Sequence, residues 1–144
     1  LFRTKRAVTV LFDDYVKRLS QPFELREVME KRPLPAQKLR QREGELLLAA
    51  VPDGARVVTL DVGGRKLSSP ALAKRLEEWR EAGIRDLAFL IGGAEGLDPA
   101  VLDQADLALS LGAMTWPHLL VRVLLAEQLY RAQCIAVGHP YHRR

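Results

Sequence analysis

A chain of 144 residues, 48% of them hydrophobic, can bury one ordinary core and is too short for two independent ones, so a single domain over residues 1–144 is expected. A single cysteine, Cys134, excludes an intrachain disulfide framework and suits a reducing cytoplasm. The net charge is a modest +4, and the longest apolar stretch, Leu119 to Tyr130, is broken by Arg122 and Glu127, which leaves it short of the roughly 20 apolar residues a bilayer span needs.

Leu1 and Phe2 run straight into Arg3, Lys5 and Arg6 without the apolar stretch of a signal peptide. Phe12, Val16 and Leu19 then recur at spacings of four and three, which predicts a helix from about Thr9 to Ser20, ended by Pro22. Phe23 to Val28 alternates apolar and charged residues and predicts a half-buried strand. Arg32-Pro33-Leu34-Pro35 is a stiff connector, and Leu39, Leu46 and Leu47 mark a second helix that stops before Pro52-Asp53-Gly54. Val57 to Val62 is a β-branched run closed by Gly63-Gly64 and is predicted to be a central strand. Ser69-Pro70 predicts an N-cap and first turn, with Gly83 as the C′ residue of that helix. Leu87 to Ile91 is a further buried strand, Asp98-Pro99 starts a short helix, and Leu107 to Leu111 is a last short strand. Pro117 opens a long helix to about Gln133, after which Ile135 to Val137 either adds a strand or extends the tail. Strands alternating with helices predict an α/β fold with a mainly parallel sheet and helices on both faces.

Charge is laid out unevenly along this pattern. Residues 1–42 hold 11 Lys+Arg against 5 Asp+Glu, residues 43–117 hold 7 against 12, and residues 118–144 hold 4 against 1. Basic ends around an acidic middle fit a polyanion partner, or a solvated surface.

Two glycine turns are expected to follow apolar strands, Gly63-Gly64 and Gly92-Gly93-Ala94-Glu95-Gly96. In open α/β sheets ligands bind outside the carboxyl ends of strands, so the two together suggest one pocket; singly, each reads as an ordinary strand-to-helix turn. The second is no dinucleotide fingerprint, because the acid expected roughly 20 positions on is replaced by Leu109-Ser110-Leu111-Gly112. A Walker A loop and a Gly-x-Ser-x-Gly elbow are absent from the sequence. His118, His139, His142 and Cys134 have no metal-ligand spacing, so no metal is expected. Leu111 to Trp116 can offer backbone amides and carbonyls to an adenine edge, with Met114 and Trp116 as apolar walls. His118, on the first turn of the last helix, can accept a proton as a neutral imidazole, and Arg122 lies four residues on, on the same face. The tail Tyr141-His142-Arg143-Arg144 joins an aromatic plane to fixed positive charge, a combination suited to stacking and phosphate binding or to a plain basic terminus.

Together, Val58-Thr59-Leu60-Asp61, Leu90-Ile91-Gly92-Gly93-Ala94-Glu95-Gly96, Met114-Thr115-Trp116-Pro117-His118, Leu120 through Ala132 and His139-Pro140-Tyr141-His142-Arg143 resemble the bacterial large-subunit ribosomal RNA methyltransferase H family, in order from about Phe12 onward. The resemblance implies a SPOUT-type α/β fold whose C-terminal part is threaded into a trefoil knot, one of the rare exceptions to unknotted topology. It also implies a homodimer that transfers a methyl group from S-adenosyl-L-methionine to N3 of a pseudouridine in 23S ribosomal RNA. By motif match, Leu60, Gly92, Gly93 and Leu111, Gly112, Ala113, Met114, Thr115 and Trp116 would line the cofactor pocket. Catalysis would fall to Arg122 with His118 or His142, and RNA contact to Tyr141, Arg143 and Arg144. The family opens on an apolar strand and a Gly-Lys turn where this chain has Leu1-Phe2-Arg3-Thr4-Lys5-Arg6, so a truncated first strand is expected. A non-catalytic RNA- or ribosome-binding module of the same fold is the alternative.

Overall fold

The computed structural model describes residues 2–143, which fall into two compact units. One comprises residues 26–66 and 83–115 and contains the sheet; the other comprises residues up to 25, 67–82 and 116 onward, and is helical.

In the sheet unit, α2 (Ala36–Ala49) is followed by β1 (Arg56–Arg65), β2 (Leu87–Ile91), α4 (Pro99–Asp103) and β3 (Leu107–Leu109). The three strands are parallel in the order β2-β1-β3, so the β-branched run is central, as its composition predicts. Val57, Leu90, Leu97 and Val101 form the buried cluster, with Leu47, Leu48 and Val51 of the α2 end packed on it. Burial of each such aliphatic side chain contributes about 1.5–3 kcal/mol. Asp106 ties the strand starts together: its carboxylate accepts from the Val57 amide at 2.7 Å and its own amide donates to the Val57 carbonyl at 2.8 Å. Asp98 caps α4 by accepting from the Ala100 amide, and Pro99 occupies the first turn, as predicted.

The helical unit holds α1 (Phe2–Lys17), α3 (Ser69–Glu81) and α5 (His118–Val137), with α5 packed against both of the others. Val123, Leu125, Ala126, Ala132 and Cys134 are buried on several sides of α5, as a helix between two neighbours requires. Gly138 ends it at φ 72°, the left-handed conformation that only glycine adopts freely.

Several elements differ from expectation. α1 starts at Phe2 rather than Thr9: Lys5, Arg6 and Ala7 are exposed, so no buried apolar period announces this stretch. Phe23 to Val28 is not a strand. It has the alternation but no ladder partner, and Phe23 instead meets Phe12 edge-on at 5.6 Å. Gly63-Gly64 is not a turn. β1 runs through it; Leu60 and Arg65 both pair with Leu109, and the residues between bow out as a bulge. Gly64 is glycine because a Cβ would stand 2.6 Å from the Ala108 carbonyl oxygen, so the absent side chain brings two strands together. The cap of α3 is Ser68, one residue earlier than Ser69; its hydroxyl accepts from the Ala71 amide, and Ser69 Oγ donates to Gln128 Oε1 on α5 at 2.6 Å. β3 stops at Leu109, and Ile135 to Val137 continues α5.

Candidate active site

The parallel register places Leu60 beside Ile91 on one side and Leu109 on the other, in one row near the carboxyl edge of the sheet. Two connections leave from the ends of β2 and β3 on either side of the central strand, residues 92–98 and 110–115. Five residues named from sequence therefore converge at this edge: Leu60 in the row, Gly92 and Gly93 after β2, and Leu111 and Gly112 after β3. That is the position at which open α/β sheets bind ligands.

Each connection is held by short-range bonds. The first folds back on itself, with a bridge between Gly93 and Gly96 and the Gly96 amide donating to the Gly93 carbonyl at 3.0 Å. Gly92 must be glycine, because a Cβ would lie 2.7 Å from the carbonyl carbon of Gly96. In the second, buried Ser110 closes the turn: its hydroxyl accepts from the Gly112 amide and donates to the Gly112 carbonyl, both at 3.1 Å. Sequence reasoning passed over Ser110, although Ser-x-Gly after a strand is a recognisable serine-turn signature. Gly112 has φ 112° and Gly96 φ 77°, and the space where either Cβ would stand is open. Met114 is 72% exposed, and Ala113 and Thr115 are also exposed.

Trp116 separates from its companions. The sheet unit ends at Thr115, and Trp116, 39% exposed, belongs to the helical unit with Pro117 and α5. His118 is exposed on the first turn of α5, and Arg122 is half-buried one turn on.

The tail is folded onto α5. Tyr141 donates from its hydroxyl to Glu127 Oε1 at 3.0 Å, lies 3.4 Å from the Tyr15 hydroxyl, and meets the Tyr130 ring edge-on at 4.7 Å. Arg131 forms an ion pair with Glu127 and lies over the Tyr141 ring at 4.9 Å. Burial, with the Tyr15 and Glu127 hydrogen bonds behind it, pushes the Tyr141 phenol well above its ordinary value. Arg131 also donates to His142 Nδ1 at 3.2 Å, since a guanidinium has no acceptor. Arg143 is exposed, and Arg144 lies outside the described residues. Glu127, Arg131 and Tyr15 were not singled out from sequence; Glu127-x-x-x-Arg131 reads there as an ordinary helical ion pair.

A family model described as "Predicted SPOUT methyltransferase" matches residues 3–142. The chain belongs to the SPOUT methyltransferase family. Among relatives of this methyltransferase, a protein of Paramagnetospirillum magneticum named "Ribosomal RNA large subunit methyltransferase H" is 59% identical over 133 residues, 92% of this chain and 88% of its own. Proteins of the same name from Gluconacetobacter diazotrophicus and Stenotrophomonas maltophilia are 57% and 52% identical, each over 92% of this chain and 86% and 87% of their own. The parallel α/β sheet agrees with this SPOUT assignment. Among the described residues no helix is long and apolar enough to cross a membrane, and no group of three or more His, Cys, Asp or Glu side chains is placed to hold a metal ion.

Proposed function

We propose that this chain transfers the methyl group of S-adenosyl-L-methionine to N3 of a pseudouridine in the 23S ribosomal RNA of the large subunit. It would act in the cytoplasm as a single-domain homodimer whose C-terminal part is a trefoil knot. The observation that carries the reading is 59% identity over 92% of the chain to a protein named for large-subunit ribosomal RNA methylation.

The sheet edge fits the cofactor. Gly96 and Gly112 present open backbone on the two connections flanking Leu60, so a ligand can approach both without meeting a Cβ. Leu60, Gly92, Gly93 and Leu111 through Trp116 would hold it, with the amides and carbonyls of residues 111–115 at the adenine edge and Met114 and Trp116 as apolar cover. When bound, its sulfonium supplies an electrophilic methyl group.

The protein's share is positioning and charge. N3 of the base must lose its proton as it is methylated, which requires an acceptor and a cation near the developing anion. Arg122 serves as that cation. Between the two histidines, the contact with Arg131 favours His118 as the acceptor. With Nδ1 of His142 accepting from a guanidinium, the hydrogen of the neutral ring sits on Nε2, which makes that edge a donor. His142 then orients the base or a phosphate. Exposed His118 carries no such bond among the described residues. Tyr141, clamped by Glu127, fixes the tail so that Arg143 and Arg144 can reach RNA phosphates.

The test is incubation with labelled S-adenosyl-L-methionine and 70S ribosomes, separate subunits or naked RNA, followed by mapping of the modified base. Label at N3 of one pseudouridine in 23S RNA is expected. Saturable RNA binding without transfer to any substrate would leave a non-catalytic binding module instead.

A further inference from the structure

The glycine connection after β2 lacks the downstream acid with which dinucleotide-binding folds hold a ribose, yet the fold delivers a carboxylate to it from the other direction in the chain. Glu43 lies on α2, and a Cβ built on Gly93 would stand 3.0 Å from its Oε2. Gly93 does not have a positive φ, so its backbone conformation does not demand glycine; what the missing side chain leaves room for is the Glu43 carboxylate. The two arginines adjacent on α2 are ion-paired with other carboxylates. Arg42 pairs with Glu30 and Glu45, and Arg40 lies 3.9 Å from Asp98. Glu43 is partly buried and has no hydrogen bond or ion pair among the described residues. Its oxygens are open rather than sealed in the core, so a ligand that brings hydrogen-bond donors can reach them, and hydrogen bonds to a charged group are stronger than neutral ones.

We propose that Glu43 accepts hydrogen bonds from the ribose hydroxyls of the adenosyl group, as a specificity-determining residue of the cofactor site. This rests on the methyl-transfer reading above. Strand spacing places the connections after β2 and β3 roughly 10 Å apart across β1. An adenosine with its base on residues 111–115 can therefore present its sugar to residues 92–96. A ribose diol offers two donors to the two oxygens of one carboxylate, and both remain on the product S-adenosylhomocysteine, which lacks the sulfonium charge.

The experiment is calorimetric titration of the intact chain and its Glu43→Gln and Glu43→Ala variants with S-adenosylmethionine, S-adenosylhomocysteine and the 2′-deoxy analogue of the latter. Glu43→Ala should weaken S-adenosylmethionine and S-adenosylhomocysteine by the same factor, about tenfold to a hundredfold, as for hydrogen bonds to a charged group. The 2′-deoxy analogue should bind the unaltered protein more weakly and lose less on substitution. The isosteric Glu43→Gln, expected to fall between, serves if the alanine variant does not fold. Loss confined to S-adenosylmethionine would overturn the proposal in favour of a contact with the sulfonium. Unaltered affinity for both would overturn it in favour of a carboxylate that only spaces the loop. Absence of saturable binding by the unaltered protein would overturn the methyl-transfer reading and the proposal with it.

Discussion

Replacing Gly44 with alanine sets two effects of known sign against each other. In an exposed helix interior, glycine to alanine stabilises by about 0.5–1 kcal/mol, because alanine loses less backbone entropy on folding. Gly44 is instead the buried residue of α2, and a Cβ there would lie 2.9 Å from Val101 Cγ2 and 3.3 Å from Asp98 Cβ. Carbon pairs prefer about 3.5–4.0 Å. Val101 is wholly buried in the sheet unit's core, and Asp98 is fixed as the α4 cap, so neither can retreat freely. Overpacking of this kind costs about 1–3 kcal/mol, which offsets or exceeds the helix gain and leaves a net loss of about 0–2.5 kcal/mol, centred near 1. Val101→Ala removes the nearer obstruction and leaves Asp98 Cβ at 3.3 Å, so in that background Gly44→Ala should cost clearly less than it does alone. Urea unfolding of the four proteins measures this through midpoint shifts at constant slope. A raised midpoint for Gly44→Ala alone, or simple additivity with Val101→Ala, would refute the close packing of α2 on α4.

Four further outcomes follow from the same geometry. Gly92→Ala meets backbone at 2.7 Å that cannot swing aside, so calorimetry should show cofactor affinity reduced more than tenfold; unchanged affinity would remove this connection from the site. His118→Ala should lower kcat by about a hundredfold or more with cofactor affinity intact, and equal loss of both would make it a cofactor contact. Glu30 is held down to about 2 by the Arg32 guanidinium and amide and by Arg42, so its stabilisation is present above the ordinary 4.5 and lost as pH falls towards 2. Glu30→Gln should flatten the midpoint-versus-pH curve across that window, and an unchanged curve would argue against the cluster. The raised Tyr141 phenol contributes stability below its ordinary 10.0 that is lost as pH rises through the folded value. In Glu127→Gln, ultraviolet titration should find that ionisation moved down; no movement would detach Tyr141 from Glu127.

Legibility in the sequence tracked how local the cause was. Leu87 to Ile91, the Asp98 cap and Gly83 past α3 were each readable because a few adjacent residues decide them. The errors arose where adjacency misled. Phe23 to Val28 has strand alternation, but a strand exists only through a partner. Gly63-Gly64 resembles a turn, yet a second strand 44 residues further along the chain, at Ala108, decides its role. In the candidate site, Leu60 and the glycines stood out by type and position. Glu43, Glu127 and Ser110 did not, because a carboxylate on a helix or a serine near a strand end is unremarkable until its neighbour is known.

By itself, then, the amino-acid order determined the α/β class, the central place of the Val57 strand and the resemblance that led to the SPOUT family, all of which depend on residue type and short spacing. Only the tertiary structure decided that Leu60, Ile91 and Leu109 share one row, that Glu43 lies over Gly93, and that the tail is clamped through Tyr141 and Glu127. Those facts depend on contacts between residues far apart in the chain, which packing and strand register set and local composition does not encode.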